Sequence, residues 1–81
     1  MHIKILGTGC PKCKRLEAMA RKAAADLGVA ATFTKVTDLN EIMAYPIART
    51  PALVIDEQVK CSGRLPSSEE LRTWLTEASR S

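Results

Sequence analysis

Aromatic side chains are scarce in this chain, with one Phe, one Tyr and one Trp among 81 residues. Proteins that hold single-stranded nucleic acid stack its bases on aromatic platforms. Phe33, Tyr45 and Trp74 are scattered and carry no RNA-binding signature, so nucleic acid is not an expected partner. Long apolar runs are also missing. No stretch approaches the ~18 residues that a membrane-spanning helix needs, and the apolar run of Met1 to Gly7 is too short for a signal peptide and meets Gly and Pro at once. The expected location is the cytoplasm, with no membrane partner. Cysteines number only three, an odd count at lower density than a secreted disulfide scaffold uses. A closed zinc site takes four ligands, and the candidates are Cys10, Cys13, Cys61 and His2, with no second C-x-x-C and no H-x-x-x-H. No internal repeat and no linker is visible.

What remains is an ordinary globular composition, 46% hydrophobic and 26% charged, in 8.8 kDa. That length predicts one domain over residues 1–81, near the lower limit for a self-sufficient core. Twelve basic and nine acidic residues leave a net charge of +3, and the excess is local. Residues 11–27 hold Lys12, Lys14, Arg15, Arg21 and Lys22 against Glu17 and Asp26, while the rest of the chain balances.

Ile3 to Leu6 read as a buried strand running into a turn at Gly7-Thr8-Gly9. Pro11 suits a first helical position and Gly28 a stop after Leu27. Between them Cys13, Leu16, Ala20, Ala23 and Leu27 share one helix face, Lys14, Arg21 and Lys22 lie on the other side, and Glu17 and Arg21 have the spacing of an exposed ion pair. Ala31 to Val36 is rich in strand formers. Strand, helix, strand makes a βαβ unit with parallel strands. Asp38 and Glu41 are spaced as a capping pair for a short helix that buries Leu39, Ile42 and Met43 and ends before Pro46. Ala52-Leu53-Val54-Ile55, a turn at Asp56-Glu57 and Gln58-Val59-Lys60-Cys61 predict an antiparallel hairpin, with Val59 and Cys61 on the same face. After a loop over 62–66, Ser67 and Glu70 form a capping box for a last helix with an apolar stripe of Leu71, Trp74, Leu75 and Ala78.

The constellation that carries chemistry is Cys10-Pro11-Lys12-Cys13, where a strand ends and a helix begins. Two thiols three residues apart at a first helical turn can close a small disulfide ring. Cys10 precedes the helix and is expected to be accessible, whereas Cys13 opens the apolar spine. Dithiol exchange uses that asymmetry, one sulfur attacking a disulfide and the other resolving the mixed disulfide. The attacker is a thiolate, and the helix N-terminus together with Lys12, Lys14 and Arg15 favours negative charge at Cys10, lowering its pKa below the free-cysteine value of about 8.5. A C-x-x-C at a strand-to-helix junction in a βαβ context favours redox chemistry over a structural disulfide. The alternative is a metal-binding or metal-delivery module in which the same two cysteines hold a soft monovalent ion. A third is a redox-gated interaction module that binds a partner without turnover. Cys61 reads as a small buried hydrophobe, with an auxiliary thiol as the sharper possibility.

The order strand, C-x-x-C helix, strand, helix, then Thr50-Pro51 leading into a hairpin and a last helix, resembles the thioredoxin/glutaredoxin superfamily. Residues 3–13 with Thr50-Pro51-Ala52-Leu53-Val54-Ile55 look most like its small redox-active disulfide proteins of bacteria and archaea, chains without the extra N-terminal strand and helix. The resemblance covers almost the whole length. It implies a β-α-β-α-β-β-α fold with a mixed four-stranded sheet in order 2-1-3-4 and helices on both faces. It also implies a cis bond between Thr50 and Pro51 packed against the cysteine pair, with Thr50 backbone groups open to a substrate strand.

By the same resemblance the function is thiol–disulfide oxidoreduction, Cys10 attacking and Cys13 resolving, with support from Pro11, Lys12, Thr50 and Pro51; Arg49, by its position just before Thr50-Pro51, is the candidate for a further substrate contact. No organic cofactor is expected. The expected partners are a disulfide-containing protein or small molecule and a flavoprotein reductase, and the chain is expected to act as a monomer. Three departures are plain. Gly9 stands where thioredoxins carry an aromatic residue before the first cysteine. The strand beneath the site offers Lys4 where thioredoxins bury an acidic residue. The glutathione-binding residues of glutaredoxins are not clearly matched.

Overall fold

The computed structural model describes residues 1–80. Strand β1 (His2–Leu6) enters helix α1 (Pro11–Leu27) through the turn that carries Cys10, and β2 (Thr32–Val36) returns beside β1. A five-residue helix α2 (Leu39–Met43) precedes the hairpin β3 (Ala52–Ile55) and β4 (Gln58–Ser62), and α3 (Ser68–Ser79) closes the chain. The sheet order is β2-β1-β3-β4, with β1 and β2 parallel and the other pairings antiparallel. This is the architecture the resemblance implied.

Local chemistry explains the element ends. Pro11 opens α1, where a missing N–H costs nothing, and Gly28 closes it in the left-handed conformation, φ 68°, its N–H meeting the Ala24 and Ala25 carbonyls. Ser67 and Glu70 form the expected capping box of α3, Glu70 N–H donating to Ser67 Oγ at 3.1 Å and Ser67 N–H to Glu70 Oε1 at 2.9 Å. Asp38 does take the N-cap position of α2, but its side chain makes no capping bond. The β3–β4 turn is made by two left-handed residues, Asp56 and Glu57, the backbone that matches the twist of the flanking strands. Asp56 also accepts from His2 N–H at 2.8 Å, which ties the turn to the start of β1.

Alternation along the strands sorts the core into two layers. Ile3, Ile5, Leu53, Ile55 and Cys61 pack with Leu16, Ala20, Ala23 and Ala24 of α1 and Leu71 and Leu75 of α3. Leu6, Val36, Ala52 and Val54 face the other way and meet Ile42 of α2, with Tyr45, Ile47 and Val59 around them. Three sequence expectations need correction. Leu27 is 39% exposed, because α1 outruns the sheet it packs on and Ala24 takes the inward position. Leu39 and Met43 are 61% and 71% exposed, since α2 is a single short turn that buries only Ile42. Val59 and Cys61 lie in opposite core layers. Leu53 pairs with Cys61 and the adjacent Val54 with Val59, so Lys60 is an extra residue in a β-bulge that reverses the face. No described helix is long and apolar enough to cross a membrane.

Candidate active site

The first turn of α1 places both cysteines. Cys10 is the N-cap, extended at φ −67° and ψ 164°, and its Sγ accepts the Cys13 backbone N–H at 3.2 Å. A helix amide therefore points at the sulfur that the sequence reading nominated to carry charge. Cys10 and Cys13 are joined in a disulfide, with Cα atoms 5.1 Å apart. Cys10 is partly exposed and Cys13 is buried, the asymmetry expected from the apolar period of α1. Pro11, Lys12, Lys14 and Arg15 are all exposed around the pair.

Thr50 and Pro51 come to the same place from the far end of the chain. The bond between them is cis. Pro51 is buried at the head of β3, its carbonyl accepting Gly63 N–H at 2.9 Å, while Thr50 stays exposed. Arg49 is exposed, and its aliphatic stem lies against Gly63. Gly7 links these parts. A Cβ added there would overlap Cys13 Sγ, stand 3.2 Å from Cys13 Cβ and reach Thr50 Cβ at 3.9 Å. The glycine is thus the spacer that lets the end of β1, the buried sulfur and the Thr50 turn share one volume. The sequence reading took Gly7 only as a strand stop, and no periodic signal marks a position defined by a contact with another element.

A second group was also missed. Glu17, one helical turn beyond Cys13, lines a narrow cleft with Cys13, Gly7, Gly9, Lys14, Lys35 and Thr37. It is 17% exposed and bridges α1 to β2, accepting from Arg21 Nε at 3.0 Å and pairing with Lys35 Nζ at 3.2 Å. Partial burial works to raise the Glu17 carboxyl, but hydrogen bonds from Arg21 and Lys35 outweigh it and hold the group below the ordinary carboxylate range. The Glu17–Arg21 spacing was legible, whereas the Lys35 contact and the shared cleft needed the fold.

Lys4 serves elsewhere. Its Nζ pairs with Glu57 at 2.6 Å and donates to Tyr45 Oη at 2.8 Å on the α2 face of the sheet. The hydrogen bond it donates to Glu57, then that to Tyr45, raises its pKa. Tyr45 therefore has a structural task that the sequence did not assign to it. Cys61 is buried, its thiol pKa pushed up by desolvation, with Sγ 4.0 Å from the Arg64 carbonyl oxygen. Among the described residues no group of three or more His, Cys, Asp or Glu side chains converges as a metal site would require.

Residues 1–76 match the thioredoxin domain family. The chain is similar to a thioredoxin of Methanothermobacter thermautotrophicus, 38% identical over 76 residues that cover 94% of this chain and 99% of that protein. It is also similar to a thioredoxin of Methanocaldococcus jannaschii, 41% identical over 73 residues covering 90% of this chain and 84% of the other. With its C-x-x-C at the head of α1, cis Thr50-Pro51 and 2-1-3-4 sheet, the chain belongs to the thioredoxin family.

Proposed function

We propose that this chain, as one domain over residues 1–81, is a thiol–disulfide oxidoreductase whose working pair is Cys10 and Cys13. The observation that carries the reading is the unequal placement of the two sulfurs, one partly exposed at a helix N-terminus and one buried beside it. In the reduced protein the Cys10 thiolate attacks a substrate disulfide, a mixed disulfide forms, and the first substrate thiolate leaves. Cys13 then loses its proton and attacks Cys10, closing the disulfide and releasing the second substrate thiol. Two electrons pass from the protein to the substrate, with one proton from Cys13 and the other from solvent, which protonates the first thiolate released.

The surrounding residues divide the remaining tasks. The helix amide of Cys13 and the charges of Lys12, Lys14 and Arg15 favour the Cys10 thiolate. Pro11 starts the helix that supplies that amide. Thr50, exposed beside the pair, offers its backbone to an extended substrate segment, with Pro51 fixing its position and Arg49 next to it. Glu17, ionised and lining the Cys13 cleft, is placed to receive the Cys13 proton. The partners that fit are disulfide-bearing proteins or small disulfides in the cytoplasm, and a flavoprotein reductase that returns electrons to a monomeric carrier.

The test is the reduced protein with a chromogenic aromatic disulfide, followed by titration of the Cys10–Cys13 couple. Turnover is expected in the wild type, none with Cys10→Ser, and a trapped mixed disulfide with Cys13→Ser. A potential near about −270 mV marks a reductant and one near about −120 mV an oxidant. Failure to exchange at any poise, together with tight binding of a soft metal, sinks the reading and leaves the metal-binding alternative.

A further inference from the structure

The cleft beside Cys13 holds one carboxylate between two cations, and the cations stand on different sides of it. Glu17 Oε2 accepts from Arg21 Nε at 3.0 Å, and Oε1 pairs with Lys35 Nζ at 3.2 Å. Arg21 follows Glu17 by one turn of α1, away from the cysteines, and its guanidinium lies 4.5 Å from the centre of the Phe33 ring on β2. Lys35 lines the cleft together with Glu17 and Cys13, whereas Arg21 does not. Oε1 is therefore the oxygen held toward the redox pair, and Oε2 the one held along the helix.

The other groups around this carboxylate are few. Helix α1 presents Cys13 and Lys14 as well as Arg21, β2 presents Lys35 with Thr37 just past its end, and β1 with its turn offers only Ile5, Gly7 and Gly9. Lys35 is 61% exposed, so its pair with Glu17 is too open to water to contribute much stability. Its consequence is positional. The glutamate stem is flexible, and with no cation on the cleft side Arg21 would draw the carboxylate along the helix. A misplaced proton acceptor loses rate even when its chemistry is intact.

We propose that Lys35 is a positioning residue for the resolving step: it holds the Glu17 carboxylate on the cleft side, within reach of the Cys13 proton, against the competing pull of Arg21. The proposal rests on the redox reading above and adds the residue, on another element, through which the proton acceptor is placed. In the mixed disulfide the Cys13 proton passes to Glu17. The Cys13 sulfur then bonds to Cys10 as the bond between Cys10 and the substrate breaks, and the departing thiolate takes up the proton. Lys35 exchanges no proton and acts through Glu17.

The experiment mixes the reduced protein rapidly with a symmetric aromatic disulfide whose thiols are coloured. Release of the first thiol reports attack by Cys10, and release of the second reports resolution by Cys13. Lys35→Met is expected to slow the second release by about fivefold near neutrality and to leave the first unchanged. Arg21→Gln, which leaves Glu17 to Lys35 alone, should not slow it, and Lys35→Arg should keep the wild-type rate. In a Glu17→Gln background Lys35→Met should change nothing further, because no carboxylate is left to place. Loss of either cation lets the Glu17 carboxyl rise toward its ordinary value. A purely electrostatic role would therefore move the acid limb of the pH profile in both single variants alike, whereas positioning lowers the neutral rate in Lys35→Met alone.

A second release that is unchanged in Lys35→Met overturns the proposal. So does equal slowing by Lys35→Met and Arg21→Gln. If the Lys35→Met effect persists in the Glu17→Gln background, Lys35 acts on the Cys13 thiolate directly and the proposal also falls. Thermal unfolding of Lys35→Met should match the wild type, and a slower release that tracks a lowered Tm and is not rescued by Lys35→Arg assigns the effect to structure instead. A wild type that releases neither thiol brings down the redox reading itself, and the positioning proposal with it.

Discussion

The sulfur of Cys13 occupies the space that any side chain at Gly7 would need. A methyl group built there overlaps Sγ and lies 3.2 Å from Cys13 Cβ. Neither atom has free room to retreat, because Cys13 is buried against the sheet.

Gly7→Ala is therefore expected to lower stability by about 1–3 kcal/mol, the range for forcing a methyl into a packed site. Urea denaturation of the reduced and oxidised forms would measure it. A variant as stable as wild type in both forms would mean that β1 and α1 shift apart easily, against the close packing described here.

The Glu17 carboxylate shares the Cys13 cleft and is held ionised by Arg21 and Lys35. Removing its charge in Glu17→Gln is expected to slow resolution of the mixed disulfide by about tenfold near neutrality, a modest share of general-base effects. The attack by Cys10 should keep its rate. The gap should narrow as pH rises, because solvent then takes the Cys13 proton unaided. Rapid-mixing measurement of mixed-disulfide decay across pH reads this directly, and identical profiles for the two proteins would remove Glu17 from the mechanism.

The cysteines should differ sharply in reactivity. Cys10, at the helix N-terminus with cations nearby, is expected to ionise below about 8.5, whereas burial pushes the Cys61 thiol up. Pulse alkylation of the reduced protein followed by mass spectrometry should find Cys10 modified first and Cys61 only after denaturation. Cys61→Ser should leave the oxidised protein with the same Cys10–Cys13 disulfide. Rapid labelling of Cys61 in the folded protein, or a disulfide that includes it, would promote it to an auxiliary thiol.

Acid should destabilise the fold through its paired carboxylates. The Arg64 fork, with help from Ser67 N–H, lowers Glu70 from 4.5 to about 2. A group whose folded pKa is depressed contributes stability above its unfolded pKa and loses it as pH falls through the folded value. Tm should therefore drop as pH falls from about 4.5 to about 2. Glu70→Gln should lower Tm at neutral pH and flatten this acid limb, and Ser67→Ala should cost about 1 kcal/mol through loss of the cap. An acid limb as steep in Glu70→Gln as in the wild type would assign the effect to other carboxylates, such as Glu17 or Glu57.

Much of the site was legible because its signals are local. Pro11 and Gly28 bracket α1 by their own backbone preferences, and the period of Cys13, Leu16, Ala20 and Ala23 depends only on helix geometry. The capping box of Ser67 and Glu70 spans four residues and needs no partner. From such signals, with Thr50-Pro51 read by resemblance, the order of elements and the asymmetry of the two cysteines could be stated before any coordinates.

What the sequence could not decide lies between elements. Alternation put Val59 and Cys61 on one face, but the pairing of β4 with β3 absorbs Lys60 as a bulge and sends them to opposite layers. Helical spacing marked Leu39 and Met43 as core, yet burial depends on what covers them, and only Ile42 meets the sheet. Gly7 against Cys13, and Glu17 against Lys35, are contacts between residues whose separation in the chain says nothing of their distance in space. The sequence reading expected a redox pair and a buried third cysteine, and the structure joins Cys10 to Cys13 and buries Cys61. The narrow cleft beside that pair, and the charge around it, were decided only when the sheet was assembled, because exposure belongs to the packed molecule and not to any segment of it.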